Sequence, residues 1–123
     1  MMEIRPLDRD NLKLDNGLDA QRLMPWELVN APFEGSWCVV RPGAESGAHG
    51  HHEYEIWVAM TGEAEIITQA GATPFKAGDV VHFTPHEKHQ VVNKGAEDFQ
   101  FYAIWWDAEL AGKFAARHEG ATS

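Results

Sequence analysis

The segment Gly43-Ala44-Glu45-Ser46-Gly47-Ala48-His49-Gly50-His51-His52-Glu53-Tyr54-Glu55 carries the densest chemistry in the chain. Read as a strand over 48–52, it alternates sides with a period of two, so His49 and His51 project from one face and two imidazoles can converge on one ion. Glu55 shares that parity. A carboxylate added to two neutral imidazoles suits a divalent first-row transition metal, because nitrogen ligands match Fe, Ni, Cu and Zn while the oxygen neutralises charge. A fourth ligand has to come from elsewhere. His89 is the candidate, since it follows the turn-rich run Thr84-Pro85-His86-Glu87-Lys88 and a returning strand can carry it across. Of the seven histidines only His118 falls outside positions 49 to 89.

Outward from this segment the chain reads as all-β. Runs rich in Val, Ile, Trp, Phe and Thr, separated by Gly, Pro or Asp clusters, predict a sandwich or barrel of up to nine strands, the clearest at 36–41, 48–52, 55–60, 63–68, 80–83, 89–93 and 99–106. Thr61-Gly62 joins two of these over a length suited to a tight hairpin, and Gly71, Gly78 and Gly95 mark further turns. In 99–106, Phe101 and Trp105 share one face and Tyr102, Ile104 and Trp106 the other, one of which must be core. Upstream, Pro6, Gly17, Pro25 and Pro32 break any long element, so 1–33 reads as an arm or short edge strands. Downstream, Asp107 is a candidate N-cap, Leu110 and Phe114 lie four apart on one face, and Gly120 follows the last turn, which predicts one helix over 107–118. No repeat or linker divides the chain, so 1–123 reads as a single domain with a barrel core at 36–106.

Composition narrows the partners. The 123 residues are 44% apolar, enough for one compact core. Nineteen acidic against ten basic residues give a net charge of −9, which repels phosphate backbones and anionic headgroups. Neither nucleic acid nor membrane is therefore an expected partner. The longest apolar runs, 56–60 and 103–106, are far shorter than the roughly 20 residues of a spanning helix. Glu3, Arg5, Asp8, Arg9 and Asp10 leave no room for the apolar core of a secretory signal, which points to the cytoplasm. The single cysteine, Cys38, can form no internal disulfide and lacks the company of a thiolate zinc site. It reads as an inert buried thiol.

Gly43, His49, His51, Glu55 and Gly62 also reproduce, without a gap, the first motif of the cupin superfamily: Gly, five residues, His-x-His, three residues, Glu, six residues, Gly. Gly78, His89 and Asn93 match the second motif in register, with Thr84 where that motif has proline and His86 where it has glycine. Both departures lie in the turn. The chain thus resembles a small single-domain cupin, and the resemblance implies a double-stranded β-helix, or jelly-roll barrel, holding a metal in its mouth on His49, His51, Glu55 and His89. It further implies that a small organic molecule binds beside the ion. With Fe(II), favoured here, the resemblance implies a dioxygenase-type oxidoreductase. With Mn, Ni or Zn it implies a non-redox lyase or isomerase in which Glu53 or Tyr54 moves a proton, and a non-catalytic ligand- or metal-binding module is the third reading. His52 should face away from His51, His86 should face solvent, and His82 is open between pocket rim and solvent. An open jelly roll leaves edge strands, so a homodimer is expected, with Trp26, Leu28 and Val29 as a candidate exchanged strand.

Overall fold

A computed structural model describes residues 2–122, with side chains through Ala116, so the His118 side chain lies outside what is described, and the backbone at Gly120 is helical instead of following the last turn. Nine strands are formed: β1 Lys13–Asp15, β2 Leu18–Arg22, β3 Phe33–Val40, β4 Tyr54–Thr61, β5 Glu63–Thr68, β6 Gly71–Lys76, β7 Val80–Phe83, β8 Gln90–Val92 and β9 Phe99–Trp106. A helix, α1, follows over Ala108–Thr122. The strands make a six-stranded sheet, β1-β2-β3-β9-β4-β7, and a three-stranded sheet, β6-β5-β8. Every pair described is antiparallel. This is the double-stranded β-helix that the resemblance implies.

The spine of the larger sheet is the pairing of β3 with β9, in register from Phe33 opposite Trp106 to Val40 opposite Phe99. Period-two alternation sends Cys38 and Val40, Phe99, Phe101 and Ala103, and Trp57 and Ala59 inward, where they meet Ala64, Ile66, Phe75 and Val91 from the smaller sheet. Trp57 lies at the centre, its ring 4.6 Å from Phe101, 4.8 Å from Phe83 and 6.4 Å from Phe75, centroid to centroid. Each such buried aromatic stabilises the fold by a few kcal/mol through area removed from water. The outer face of β9 carries Tyr102, Ile104 and Trp106, as its parity requires.

Four local expectations change. Thr61-Gly62 is a corner, not a hairpin: β4 pairs with β7 and β9 while β5 pairs with β6 and β8, so the chain crosses between sheets at Gly62. Gly62 has φ +86°, and a Cβ there would sit 2.6 Å from the carbonyl oxygen of Asp98. Residues 48–52 form no strand. They run as irregular chain touching β-structure only through the isolated bridge His49 to His89. The 1–33 region contributes a real hairpin, β1–β2, on Asn16 and Gly17, both at positive φ as a type I′ turn demands. Strand β6 is unforeseen because Pro74 argues against a strand, but β6 is an edge, where proline is tolerated.

Residues 26–29 turn rather than extend: Val29 N–H donates to the Trp26 carbonyl, the Trp26 indole donates to Glu3, and the Arg5 guanidinium lies 4.5 Å above its ring. These contacts tie the segment to residues of its own chain. At the other end Asp107 caps α1, its Oδ1 accepting from the amides of Glu109 and Leu110. The helix continues past the expected end at 118. No described helix is long and apolar enough to cross a membrane.

Gly62→Ala should cost about 2–3 kcal/mol in urea denaturation, since it adds a backbone clash to left-handed strain. Gly43→Ala, at φ +81° with nothing within 4 Å of the added Cβ, should cost about 1–2 kcal/mol. Equal losses would remove the steric explanation of the corner.

Candidate metal centre

Four side chains converge in the barrel mouth. His49 and His51 come from the irregular segment before β4, Glu55 from the start of β4, and His89 from the residue preceding β8. One ligand atom from each lies within 4.8 Å of all the others. Glu55 is 5% exposed and His89 2%. Oε1 of Glu55 stands 3.0 Å from Nε2 of His51 and 3.0 Å from Nε2 of His89. Its Oε2 accepts the indole N–H of Trp57 at 3.0 Å.

The donor set fits a transition metal on its own geometry. Two ligand atoms about 2.1 Å from an ion and at right angles to each other are about 3.0 Å apart. The ring orientations agree as well. Nδ1 of His51 lies 3.2 Å from the Glu53 carbonyl and Nδ1 of His89 lies 2.9 Å from that of Glu87. A carbonyl can only accept, so both Nδ1 atoms carry hydrogen and both Nε2 atoms face the centre, the tautomer a metal requires. Nδ1 of His49 lies 3.3 Å from the Gly47 carbonyl and 2.9 Å from Nδ2 of Asn16, so it either donates to the carbonyl or accepts from the amide, according to its tautomer. An ion bound through Nε2 would leave the carbonyl contacts of Nδ1 in place.

Burial pushes the Glu55 carboxyl upward, but the hydrogen bonds from His89 and Trp57, the charge of His89 and the bond from His51 outweigh it, so the carboxyl sits below its ordinary range. It is held as a carboxylate. Phe83 stacks on the His89 ring at 4.0 Å and 11°, and Trp57 meets it edge-on at 5.2 Å. His89 therefore has little rotational freedom.

The second-motif turn keeps its shape despite its substitutions. His86, at the position where glycine is expected, adopts φ +69°, and its amide donates to the His51 carbonyl at 2.6 Å. Gly50 lets the two loops approach, since a Cβ there would lie 2.9 Å from the His86 carbonyl oxygen. Asn93 does not face the site. Buried, it donates to the carbonyls of Val40 and Glu97 and holds the loop after β8.

Other singled-out residues are not brought in. Tyr54 emerges on the face of β4 opposite Glu55, stacked between His82 at 5.7 Å and Trp106 at 6.0 Å. Strand alternation makes it unable to face the ion. Glu53 lies in a bend before β4, and its side chain is not part of the pocket wall. His82 and His86 are exposed, and His52 reaches only the exposed Asp107, at 3.8 Å.

The pocket lined by His49, His51 and Glu55 has a volume of about 210 Å³. Leu18, Phe101, Ala103 and Trp105 give it an apolar wall, and Asp15, Asn16 and Arg22 a polar one. Those three polar residues were not anticipated, and the signal that could have found them is Asn16-Gly17, the commonest two-residue hairpin turn, which folds β1–β2 over the mouth. Cys38 also lines the pocket, with its thiol pushed up to about 12 by burial, partly countered by Ser36. It is inert as a nucleophile.

Residues 36–105 match the family described as the cupin domain. The chain belongs to this family. A cupin 2 conserved barrel domain protein from Salinispora arenicola is 66% identical, with a TM-score of 0.85 over 96% of this chain and 99% of that one. A protein from Photorhabdus luminescens is 41% identical, with a TM-score of 0.84 over 97% and 99%. The oxalate-binding protein of Thermotoga maritima is 36% identical over 64 residues, which is 51% of this chain. The chain thus spans about half, 53%, of that curated relative's length.

Trp57→Phe leaves Oε2 of Glu55 buried without its donor and should cost about 1–3 kcal/mol of stability. Because that bond holds the carboxyl down, its loss should move the pH midpoint of divalent metal uptake upward and weaken uptake about tenfold or more. An unmoved midpoint would show that the indole bond does not govern Glu55.

Proposed function

We propose that this cupin is a metal-dependent enzyme of small-molecule metabolism that holds one divalent first-row transition metal on His49, His51, Glu55 and His89. The observation that carries the reading is the pair of 3.0 Å contacts from one carboxylate oxygen to two Nε2 atoms whose opposite nitrogens are tied to backbone carbonyls. Bound there, such an ion supplies Lewis acidity and, as Fe(II), redox chemistry toward oxygen. The chain's own residues do the rest. Trp57 fixes the carboxylate, the carbonyls of Glu53 and Glu87 fix two rings, and Leu18, Phe101, Ala103 and Trp105 keep water from the organic ligand. The name of the Thermotoga relative supports a small-molecule ligand.

A dioxygenase-type oxidoreductase with Fe(II) is the first reading, on the frequency of oxidative cupins with this ligand set. A lyase or isomerase using Mn, Ni or Zn is the second, favoured by one observation: Asp15, a carboxylate outside the four, lines the pocket and is placed to hold or move a proton of a bound carbonyl compound. Glu53 and Tyr54 are not assigned that task, for the geometric reasons above.

Elemental analysis of the purified protein should find about one first-row metal per chain, and His51→Ala should abolish it. Full occupancy in that variant would contradict the ligand set. Oxygen uptake by the Fe(II) form with phenolic, thiol or diketone substrates supports the first reading. Turnover of a carbonyl compound by the Mn or Ni form, with no oxygen uptake by the Fe(II) form, replaces it with the second. Stoichiometric metal without turnover in any form leaves a binding module.

A further inference from the structure

The polar wall of the pocket carries one cation, Arg22, in a chain that is strongly acidic overall. Arg22 ends β2 with the same parity as Leu18 and Ala20, so its side chain leaves the sheet on the core side, at the mouth. The guanidinium is held in two ways. Its Nε donates to Oδ2 of Asp15 at 2.7 Å, and its Cζ lies 4.9 Å from the centre of the Trp105 ring. Both residues line the metal pocket. Among the described residues, neither Nη1 nor Nη2 of Arg22 donates a hydrogen bond, which leaves four N–H groups in a fixed fork at the pocket wall.

Asp15 and Arg22 also form the partition between this pocket and a second cleft of about 520 Å³ that Arg5 and Lys13 line. Arg5 donates to the carbonyls of Leu23 and Pro25, which orients its charge without neutralising it. Three of the chain's ten basic residues thus border one approach to the pocket, while the net charge is −9. Fields of this kind concentrate anions locally against the repulsion of the remaining surface. Asp15 and Glu34 are the acids facing Arg22. The Asp15 pair is exposed, 47% on the arginine side and 36% on the aspartate side, so water weakens it and an incoming anion can compete.

We infer that the metal pocket takes a small carboxylate, with Arg22 as the residue that grips it. The inference rests on the metal reading above and adds the ligand class and the residue that selects it. Three neutral imidazoles and one carboxylate leave a divalent ion with a single net positive charge, which an anionic chelator neutralises. The planar fork of Arg22 matches a carboxylate in two-point contact, and the Trp105 face keeps it pre-oriented. The volume of about 210 Å³ is below the roughly 300 Å³ at which sites for drug-sized molecules begin, so the acid has few carbons.

The test uses Mn(II)-loaded full-length protein and isothermal titration with oxalate, inorganic phosphate and acetylacetone, a chelator that binds metals through its enolate and carries no carboxylate, comparing wild type with Arg22→Gln and Arg22→Lys. Metal affinity is measured first and should be the same in all three. Oxalate should bind wild type better than phosphate or acetylacetone does. It should weaken at least tenfold in Arg22→Gln and recover in part in Arg22→Lys, while acetylacetone changes less than twofold. Equal oxalate affinity with and without the guanidinium overturns this proposal alone, as does acetylacetone or phosphate binding as well as oxalate. Loss of metal in the Arg22 variants makes the residue structural and also overturns it. A wild-type chain that takes up no metal overturns the metal reading and this proposal together.

Discussion

The structure depends on the need to satisfy one buried carboxylate. A carboxylate as enclosed as Glu55 is costly unless every oxygen finds a donor. Its donors come from three places: the irregular segment before β4, the next inward position on β4 itself, and the residue ahead of β8 in the opposite sheet. Meeting that demand pins the two sheets together at the mouth. The isolated bridge between His49 and His89, and the amide of His86 on the His51 carbonyl, brace the same junction through backbone. The aromatic cluster around Trp57 lies at the centre of the hydrophobic core, and the same indole supplies the third donor to Glu55. Core and site are one construction.

Much of this was legible in the chain, though not always for the reason first given. The four side chains do meet, yet His49 and His51 do not converge by strand alternation. They lie on irregular chain that is shaped by loop-to-loop contacts, and no local pattern encodes those. The histidine at position 86 shows how a motif can depart in residue type and keep its backbone: a left-handed φ there lets the turn deliver an amide to His51, at a modest conformational cost. Gly62 matched in spacing, but its role as a corner between sheets is set by the nearby Asp98 carbonyl, which lies far along the chain. Tyr54 and Glu53 are not brought to the four side chains, because which side of a strand the chain presents is set by the bend before β4.

The N-terminal hairpin is the part that sequence reasoning undervalued. Proline and glycine made 1–33 read as an arm or short edge strands, and Asn16-Gly17 folds two such strands into a wall of the pocket that brings Asp15, Asn16 and Arg22 to the mouth. The motif residues of a cupin explain how an ion can be held. The residues that decide what enters lie outside those motifs, on an edge of the larger sheet, and an acidic surface makes the few cations gathered there more telling than their number suggests.

The central claim is that His49, His51, Glu55 and His89 grip one cation. The most direct test is crystallography of the purified protein with diffraction data collected on either side of a transition-metal absorption edge. The account predicts a single anomalous peak in the barrel mouth, about 2.0–2.3 Å from one atom of each of the four side chains. A peak elsewhere, on the exposed histidines at 52, 82 or 86, or no peak after soaking with Mn(II), Fe(II), Ni(II) and Zn(II), would contradict it.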